Sequence, residues 1–231
     1  IIHIEIDLIA KACNYILYDE LPVFMTPEMK LVTQTILIDE QFHVYNAQDI
    51  LQQVKEYYPK LPALTYPISD AKLAVEHTCA QLPKQYSKIF TVIAVCIFET
   101  TLIKELVEFF ESPNVHPCIR HYVHDHMNDE NRHYVFFSNL LSYIWQQLPQ
   151  AARSVIGALL GQFTTEYLAV NADKLFLQEL LNSIITDNKR SRDLIDELYI
   201  GFCLDSNIPI VNNVLTVLRT ARILDDELVY Q

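Results

Sequence analysis

Glycine is nearly absent from this chain, with only three glycines among 231 residues. An average protein of this length would contain roughly sixteen, since glycine usage is about 7%. Tight hairpins and phosphate-binding loops need glycine where the backbone takes a positive φ. The chain is therefore predicted to be mostly helical, and β-sandwiches, β-barrels and dinucleotide-binding folds are disfavoured.

Acidic residues are in excess, with 29 Asp and Glu against 17 Lys and Arg and a formal charge of −12. A surface of this sign repels nucleic-acid backbones and anionic membranes. The longest charge-free run, residues 134–152, holds too many polar side chains for a lipid-facing helix. We therefore expect neither nucleic acid nor a membrane among the partners.

The five cysteines are odd in number and form no Cys-x-x-Cys pair. Most of them lie in apolar helical contexts, which is typical of buried reduced thiols. Reduced thiols indicate a reducing compartment, so a cytoplasmic location is predicted.

Prolines and helix-capping residues divide the chain into predicted helices. The strongest start is Thr26-Pro27-Glu28, which combines a capping hydroxyl, proline at the first helical position and an acid in the first turn. The first segment, about residues 2–20, is ambiguous because residues 2–8 alternate like a strand. The later predicted helices span about 26–58, 69–82, 84–111, 117–148, 151–170, 172–185, 190–203 and 210–224.

Two copies of one five-residue pattern stand out, Asp39-Glu40-Gln41-Phe42-His43 and Asp129-Glu130-Asn131-Arg132-His133. In each copy the Glu and the His are three residues apart, so they share a helix face and can reach one metal ion. The Asp four residues before each His is predicted to accept a hydrogen bond from that ring's other nitrogen. Arg132 is predicted either to pair with a nearby carboxylate or to lie free on the surface.

Glu-x-x-His on each of two helices, with one Glu from each of two others, describes the dinuclear carboxylate site of ferritin-like bundles. Glu99 lies deep in the most apolar predicted helix, where an unpaired carboxylate would cost several kcal/mol. It therefore needs a cation, a proton, or a buried Lys or Arg. Glu5, between Ile4 and Ile6, is the candidate on the first segment.

His126 adds a third histidine, because it shares one helical stripe with Glu130 and His133 at i, i+4 and i+7. The other histidines near this helix, His116, His121 and His124, point elsewhere and are interpreted as surface or packing residues. The predicted metal ligands are thus Glu5, Glu40, His43, Glu99, His126, Glu130 and His133, with Asp39, Asp129 and Arg132 supporting them.

With this third histidine, the chain resembles the ferritin-like di-iron N-oxygenases typified by p-aminobenzoate N-oxygenase. That family's ligand pattern is Glu, then Glu-x-x-His, then Glu, then His-x-x-x-Glu-x-x-His, and residues 1–140 follow it in order and spacing. The resemblance implies an all-α fold, a ferritin-like four-helix bundle core with additional C-terminal helices. It also favours a helix in the first segment, against the strand-like alternation.

The resemblance also implies a chemistry, which is oxidation of an amine nitrogen, commonly taking an arylamine to a hydroxylamine and a nitro compound. It implies two iron ions, with manganese as an alternative, and O₂ as co-substrate. An external electron donor is expected, since no flavin or iron–sulfur motif is visible, and a homodimer is expected as well. One domain over 1–231 is predicted, with the metal-binding bundle in about 1–148 and extra helices in 150–231. The natural protein is expected to extend before Ile1, because a ligand at residue 5 would otherwise lie in a fraying first turn.

Other functions share parts of this pattern. A di-iron hydroxylase or desaturase acting on C–H bonds, or an oxidase of aliphatic amines, could use the same ligands. A ferritin-like ferroxidase or iron-binding protein is disfavoured by the chain length and the third histidine. A helical interaction protein without metal would have to account for buried Glu99 in another way.

Overall fold

The computed structural model describes residues 2–59, 64–101, 110 and 112–230, and the regular elements in this part of the chain are all helical. The first helix, α1, combines Ile2–Ile4, a π-helical turn at Glu5–Ile9 and Ala10–Leu17. The later helices are α2 (Pro27–Tyr57), α3 (Asp70–Gln81), α4 (Lys84–Glu99), α5 (Pro117–Gln147), α6 (Gln150–Tyr167), α7 (Asn171–Ile184), α8 (Asn188–Leu198) and α9 (Pro209–Thr220), followed by a 3₁₀ turn at Glu227–Tyr230.

Capping side chains fix where the long helices begin. The Thr26 hydroxyl accepts a hydrogen bond from the Met29 backbone N–H at 3.2 Å, and Pro27 occupies the first turn of α2. His116 caps α5 in the same way, because its Nδ1 accepts from the Cys118 N–H at 3.2 Å. Both contacts satisfy backbone donors that a helix start leaves free. The predicted start of α2 is confirmed.

Four helices form a closed ring around the centre of the molecule. Helix α1 packs against α2 and α4, and α5 packs against the same two helices from the other side. This arrangement confirms the predicted all-α, ferritin-like four-helix core. The additional helix α6 packs outside it against α3, α4 and the 3₁₀ turn at Glu227–Tyr230, and α9 contacts α4.

The two predictions for the first segment and for α4 have different outcomes. Residues 2–17 are helical, so the strand-like alternation does not decide their structure, and the helical prediction is confirmed.

Helix α4 is central as predicted, with every residue from 89 to 99 buried. It ends at Glu99, however, and the Thr100 hydroxyl bonds back to the Cys96 carbonyl at 2.5 Å. The rest of the predicted helix, 102–109 and 111, lies outside the described residues.

The helix predicted for residues 190–203 is too long. Helix α8 begins two residues earlier, where Asp187 accepts from the Lys189 and Arg190 backbone N–H groups. It ends at Leu198, and Gly201 beyond it has a φ of +69°. A right-handed helix cannot continue through a residue with positive φ, a conformation that glycine adopts at low cost.

The cysteines divide between core and surface. All five are free thiols, as predicted. Cys13 and Cys96 are buried and Cys79 is half-buried, but Cys118 and Cys203 are exposed, so the expectation of mostly buried thiols is only partly met. No helix in the described part of the chain combines the length and apolar composition that crossing a bilayer requires.

Candidate metal centre

The seven predicted ligands converge inside the four-helix core, and each of them is at most 8% exposed. Glu5 lies at the start of the π-helical turn of α1, a local widening of the helix that is frequent at functional sites. Glu99 is the last residue of α4. Helix α2 supplies Glu40 and His43, and α5 supplies His126, Glu130 and His133.

The seven side chains divide into two adjacent donor groups. The first group is Glu5, His43 and His126, and the second is Glu40, Glu99, Glu130 and His133. Within each group the potential ligand atoms all lie within 4.8 Å of one another. Ligand bonds of about 2.1 Å place two donors of one ion roughly 3 to 4 Å apart. Each group therefore has the size to hold one metal ion.

Two carboxylates face both groups at once. Glu40 places Oε1 3.0 Å from His133 Nδ1 and Oε2 3.7 Å from His43 Nδ1. Glu130 Oε1 lies 3.2 Å from His126 Nε2 and 3.5 Å from His133 Nδ1. The same oxygen is 3.8 Å from His43 Nδ1. A carboxylate in this position can bridge two ions, so Glu40 and Glu130 join the two groups into one centre.

The inward-facing atoms of this centre lack hydrogen-bond partners among the described residues. They are Glu5 Oε2, both carboxylate oxygens of Glu40, Glu99 Oε2, Glu130 Oε2 and the Nδ1 atoms of His43 and His133. A buried polar atom without a partner costs about 1–3 kcal/mol. Bound cations would satisfy these atoms together, so the residues present fit a dinuclear metal site of oxygen and imidazole ligands.

The outer nitrogens of two histidines are held by aspartates from the opposite helix. His43 Nε2 lies 3.3 Å from Asp129 Oδ2, and His133 Nε2 lies 3.3 Å from Asp39 Oδ2. The prediction that each Asp serves the His of its own motif is therefore wrong. Helices α2 and α5 run antiparallel. Because His43 and His133 turn Nδ1 toward the centre, their Nε2 atoms point to the neighbouring helix and not back along the helix that carries them.

Arg132 ties the two aspartates together at the surface. Its Nη2 donates to Asp39 Oδ2 at 3.2 Å and to Asp129 Oδ1 at 2.5 Å, while 61% of its side chain stays exposed. The predicted pairing of Arg132 with a nearby carboxylate is confirmed. Burial would raise the pKa of Asp129, but the hydrogen bonds from Arg132 and His43 outweigh it and lower that pKa. Asp129 is thereby kept as an acceptor for His43.

Without metal, burial controls protonation in the centre. Desolvation raises the pKa of Glu5 to about 8 and that of Glu99 well above its usual value. It lowers the pKa of His126 to about 4, which keeps this imidazole neutral. For His133, burial opposes the charge, but the close carboxylates of Glu130 and Glu40 raise the pKa. The metal-free centre therefore retains protons that bound cations would displace.

The remaining histidines of this region stay outside the centre. His121 is exposed, and the His124 side chain is 75% exposed. One residue that sequence reasoning overlooked is Tyr122, whose ring centroid is 5.8 Å from that of His126. Its hydroxyl donates to the His43 backbone carbonyl at 3.4 Å. The position of Tyr122 beside His126 could have been predicted from the sequence, since Tyr122 precedes His126 by one helical turn on the same face.

A protein-family model described as P-aminobenzoate N-oxygenase AurF matches residues 2–180, which is more than half of the chain. The matched region contains all four helices of the bundle core and the seven converging side chains. No curated protein sequence matches the chain.

Proposed function

Because the chain belongs to the p-aminobenzoate N-oxygenase family, we propose that it is a di-iron, O₂-dependent oxygenase of a small-molecule amine. The reaction is oxidation of the substrate nitrogen, taking an arylamine to a hydroxylamine and a nitro compound. The observation that carries this proposal is the position of Glu40 and Glu130 between two buried donor groups. An isolated ion needs no such shared carboxylates.

The proposed ligand assignment follows the two groups. One ion would be held by Glu5, His43 and His126 and the other by Glu99 and His133, with Glu40 and Glu130 placed to serve both. The four carboxylates supply four negative charges, which two divalent ions balance, so the buried centre is near neutral. Carboxylate oxygens with imidazole nitrogens suit iron, and manganese as an alternative. When bound, the iron pair supplies O₂ activation.

The side chains around the centre orient the ligands. Asp129 and Asp39 accept from the Nε2 atoms of His43 and His133, which leaves the lone pair on each Nδ1 facing inward. Arg132 holds both aspartates in place from the surface. The burial of the ligands keeps bulk water away from the reacting nitrogen.

An electron source outside the chain completes the proposed reaction. Inserting one oxygen atom of O₂ into an N–H bond and reducing the other to water consumes two electrons beyond those that the amine supplies. The sequence contains no flavin or iron–sulfur motif. We therefore expect a separate reductant or redox protein to supply them.

Metal analysis combined with isotope labelling tests this function. The purified protein should bind about two iron ions per chain, as ferritin-like di-iron sites do. With a chemical reductant, ¹⁸O₂ and an arylamine panel, mass spectrometry should find ¹⁸O on nitrogen. Label on carbon would instead indicate a hydroxylase, and iron oxidation with no labelled organic product would indicate a ferroxidase. Either result, or a folded protein without metal, contradicts the proposal.

A further inference from the structure

A cavity of about 330 Å³ lies between α2 and α5 beside the candidate metal centre. His43 and His126 form part of its wall, so it reaches the Glu5–His43–His126 group. None of the second group's four side chains is among the residues that line it. Its volume is at the lower end of the range for small-molecule pockets. A molecule in this cavity would approach the ion position on the Glu5 side.

The inner wall of the cavity suits an amine attached to a ring. His126 is only 8% exposed; its Nε2 lies beside Glu130 in the metal centre, and its other nitrogen, Nδ1, has no hydrogen-bond partner in the described part of the chain. The Tyr122 ring lies 5.8 Å from the His126 ring, and Phe42, which is 59% exposed, also lines the cavity. An unpartnered buried imidazole beside aromatic faces provides a polar end and a stacking surface for a small aromatic ligand.

The outer wall of the cavity is acidic. Three carboxylates line it, but Asp129 is already engaged by Arg132 and His43. Asp49 accepts only from the neutral amide of Gln53, at 2.6 Å. The side chain of Asp125 is 85% exposed, and its nearest ion-pair contact is His124 Nδ1 at 3.9 Å. Neither carboxylate has a lysine or arginine partner among the residues that the structure describes.

Within the described part of the chain, Asp49 and Asp125 therefore leave two negative charges at the outer wall of the cavity without a lysine or arginine to balance them. No lysine or arginine is present among the described side chains lining the cavity. An anionic group of a ligand would meet like charge here, whereas a cationic group would be attracted and a neutral group would be tolerated.

We propose that this cavity binds the amine substrate, with the amino group toward His126 and the far end of the molecule between Asp49 and Asp125. The inferred substrate class is a neutral or cationic arylamine, and aminobenzoates are disfavoured. This inference rests on the proposed N-oxygenase function, and it specifies which amines the same centre accepts.

Three ligands of nearly equal shape test the inference, 4-aminobenzoate, 4-aminobenzamide and 4-aminobenzamidine, which carry one negative, no and one positive charge. Their dissociation constants are measured by calorimetry with both the iron-loaded and the metal-free protein. Affinity should rise from benzoate to amide to amidine by about fivefold per unit of charge. Raising the salt concentration should reduce the differences in affinity among the three ligands, because salt screens the charges.

Variants that remove negative charge test whether Asp49 and Asp125 cause the difference in affinity. The double variant Asp49→Asn with Asp125→Asn should bring the amidine and the benzoate to within about twofold of each other. Asp196→Asn, a change at an exposed acid on α8, should leave the series unchanged. Equal binding of benzoate and amidine by the wild type, or an unchanged series in the double variant, overturns the inference.

The inference and the proposed function fail separately. If aminobenzoate is bound as well as the amidine and is oxidised on nitrogen by an iron-loaded protein, the function stands and the inference is wrong. If the affinity series is observed but no amine is oxidised on nitrogen, the charge selectivity of the cavity stands and the proposed function is wrong.

Discussion

Asp39 on α2 lies 3.3 Å from the Nε2 atom of His133 on α5, a helix whose own motif contains a second aspartate. The reciprocal contact joins Asp129 to His43 at the same distance. Each Asp-Glu-x-x-His copy thus supplies two candidate ligands to the centre and orients a histidine of the other copy. Neither helix can form its half of the centre alone.

The exchanged pairing predicts which histidine each aspartate controls. Asp39→Asn should disturb His133 and leave His43 oriented, while Asp129→Asn should do the reverse. Loss of such an outer partner typically lowers metal affinity by about 10- to 100-fold. Proton NMR of the Fe(II)-loaded protein would resolve the exchangeable imidazole N–H signals, which nuclear Overhauser contacts with neighbouring side chains assign to His43 and His133. Loss of the His43 signal in Asp39→Asn would contradict the exchanged pairing.

Removing the side chain of Glu130 or of His133 should abolish metal binding at the centre. Glu130→Ala and His133→Ala are expected to lose both iron loading and N-oxygenation, because Glu130 faces both donor groups and His133 is the histidine of the second. His124→Ala is the matched control on the same helix, since that side chain is exposed. Iron content and product formation are measured together with circular dichroism. A Glu130→Ala protein that remains helical and binds iron fully would contradict the assignment of Glu130 as a metal ligand.

The third histidine has a narrower predicted role. His126→Ala removes one donor from the Glu5–His43–His126 group and leaves the second group complete. N-oxygenation should be lost while the fold and the other six ligand side chains are preserved, so about half of the iron should remain bound. Iron analysis and thermal unfolding check this. Unchanged turnover in His126→Ala would show that this histidine is not a ligand.

Burial of acids predicts an unusual pH dependence for the metal-free protein. The pKa of Glu5 is raised from 4.5 to about 8, so the folded state binds more protons than the unfolded state between these values. Its stabilising contribution is complete below about pH 4.5 and is lost as the pH rises toward about 8. The lowered pKa of His126 acts in the opposite direction, but only between about pH 4 and 6.5.

Between about pH 6.5 and 8, the free energy of unfolding of the chelator-treated protein should therefore fall with pH. Glu5→Gln should reduce this fall, because a neutral amide replaces the carboxyl group. Urea unfolding at a series of pH values measures both proteins. A rise in stability with pH across this window, or an identical slope in Glu5→Gln, would contradict the assigned shift.

Most of the candidate centre could be predicted from residue spacing, because ligands on one helix depend only on the helical repeat. Glu40 and His43 lie within one turn of α2. His126, Glu130 and His133 lie within two turns of α5. The burial of Glu99 was predictable from its apolar neighbours. Glu5 was predicted as the remaining carboxylate of a ferritin-like site, and the family resemblance then favoured a helix there over the strand-like alternation.

What the sequence could not reveal depends on packing between helices. The exchange of Asp39 and Asp129 follows from the antiparallel contact of α2 and α5, which no local pattern encodes. The π-helical turn at Glu5–Ile9 and the end of α4 at Glu99 were likewise not predicted from the sequence. The acidic cavity combines side chains that lie on two helices and are at least 68 residues apart in sequence.

X-ray anomalous scattering tests most directly whether the two donor groups that share Glu40 and Glu130 hold an iron pair. Data collected at the iron edge from iron-loaded crystals should show two peaks about 3.5–4 Å apart. One peak should lie among Glu5, His43 and His126, and the other among Glu40, Glu99, Glu130 and His133. A single peak, or an iron-loaded protein whose peaks lie away from these side chains, would contradict the account.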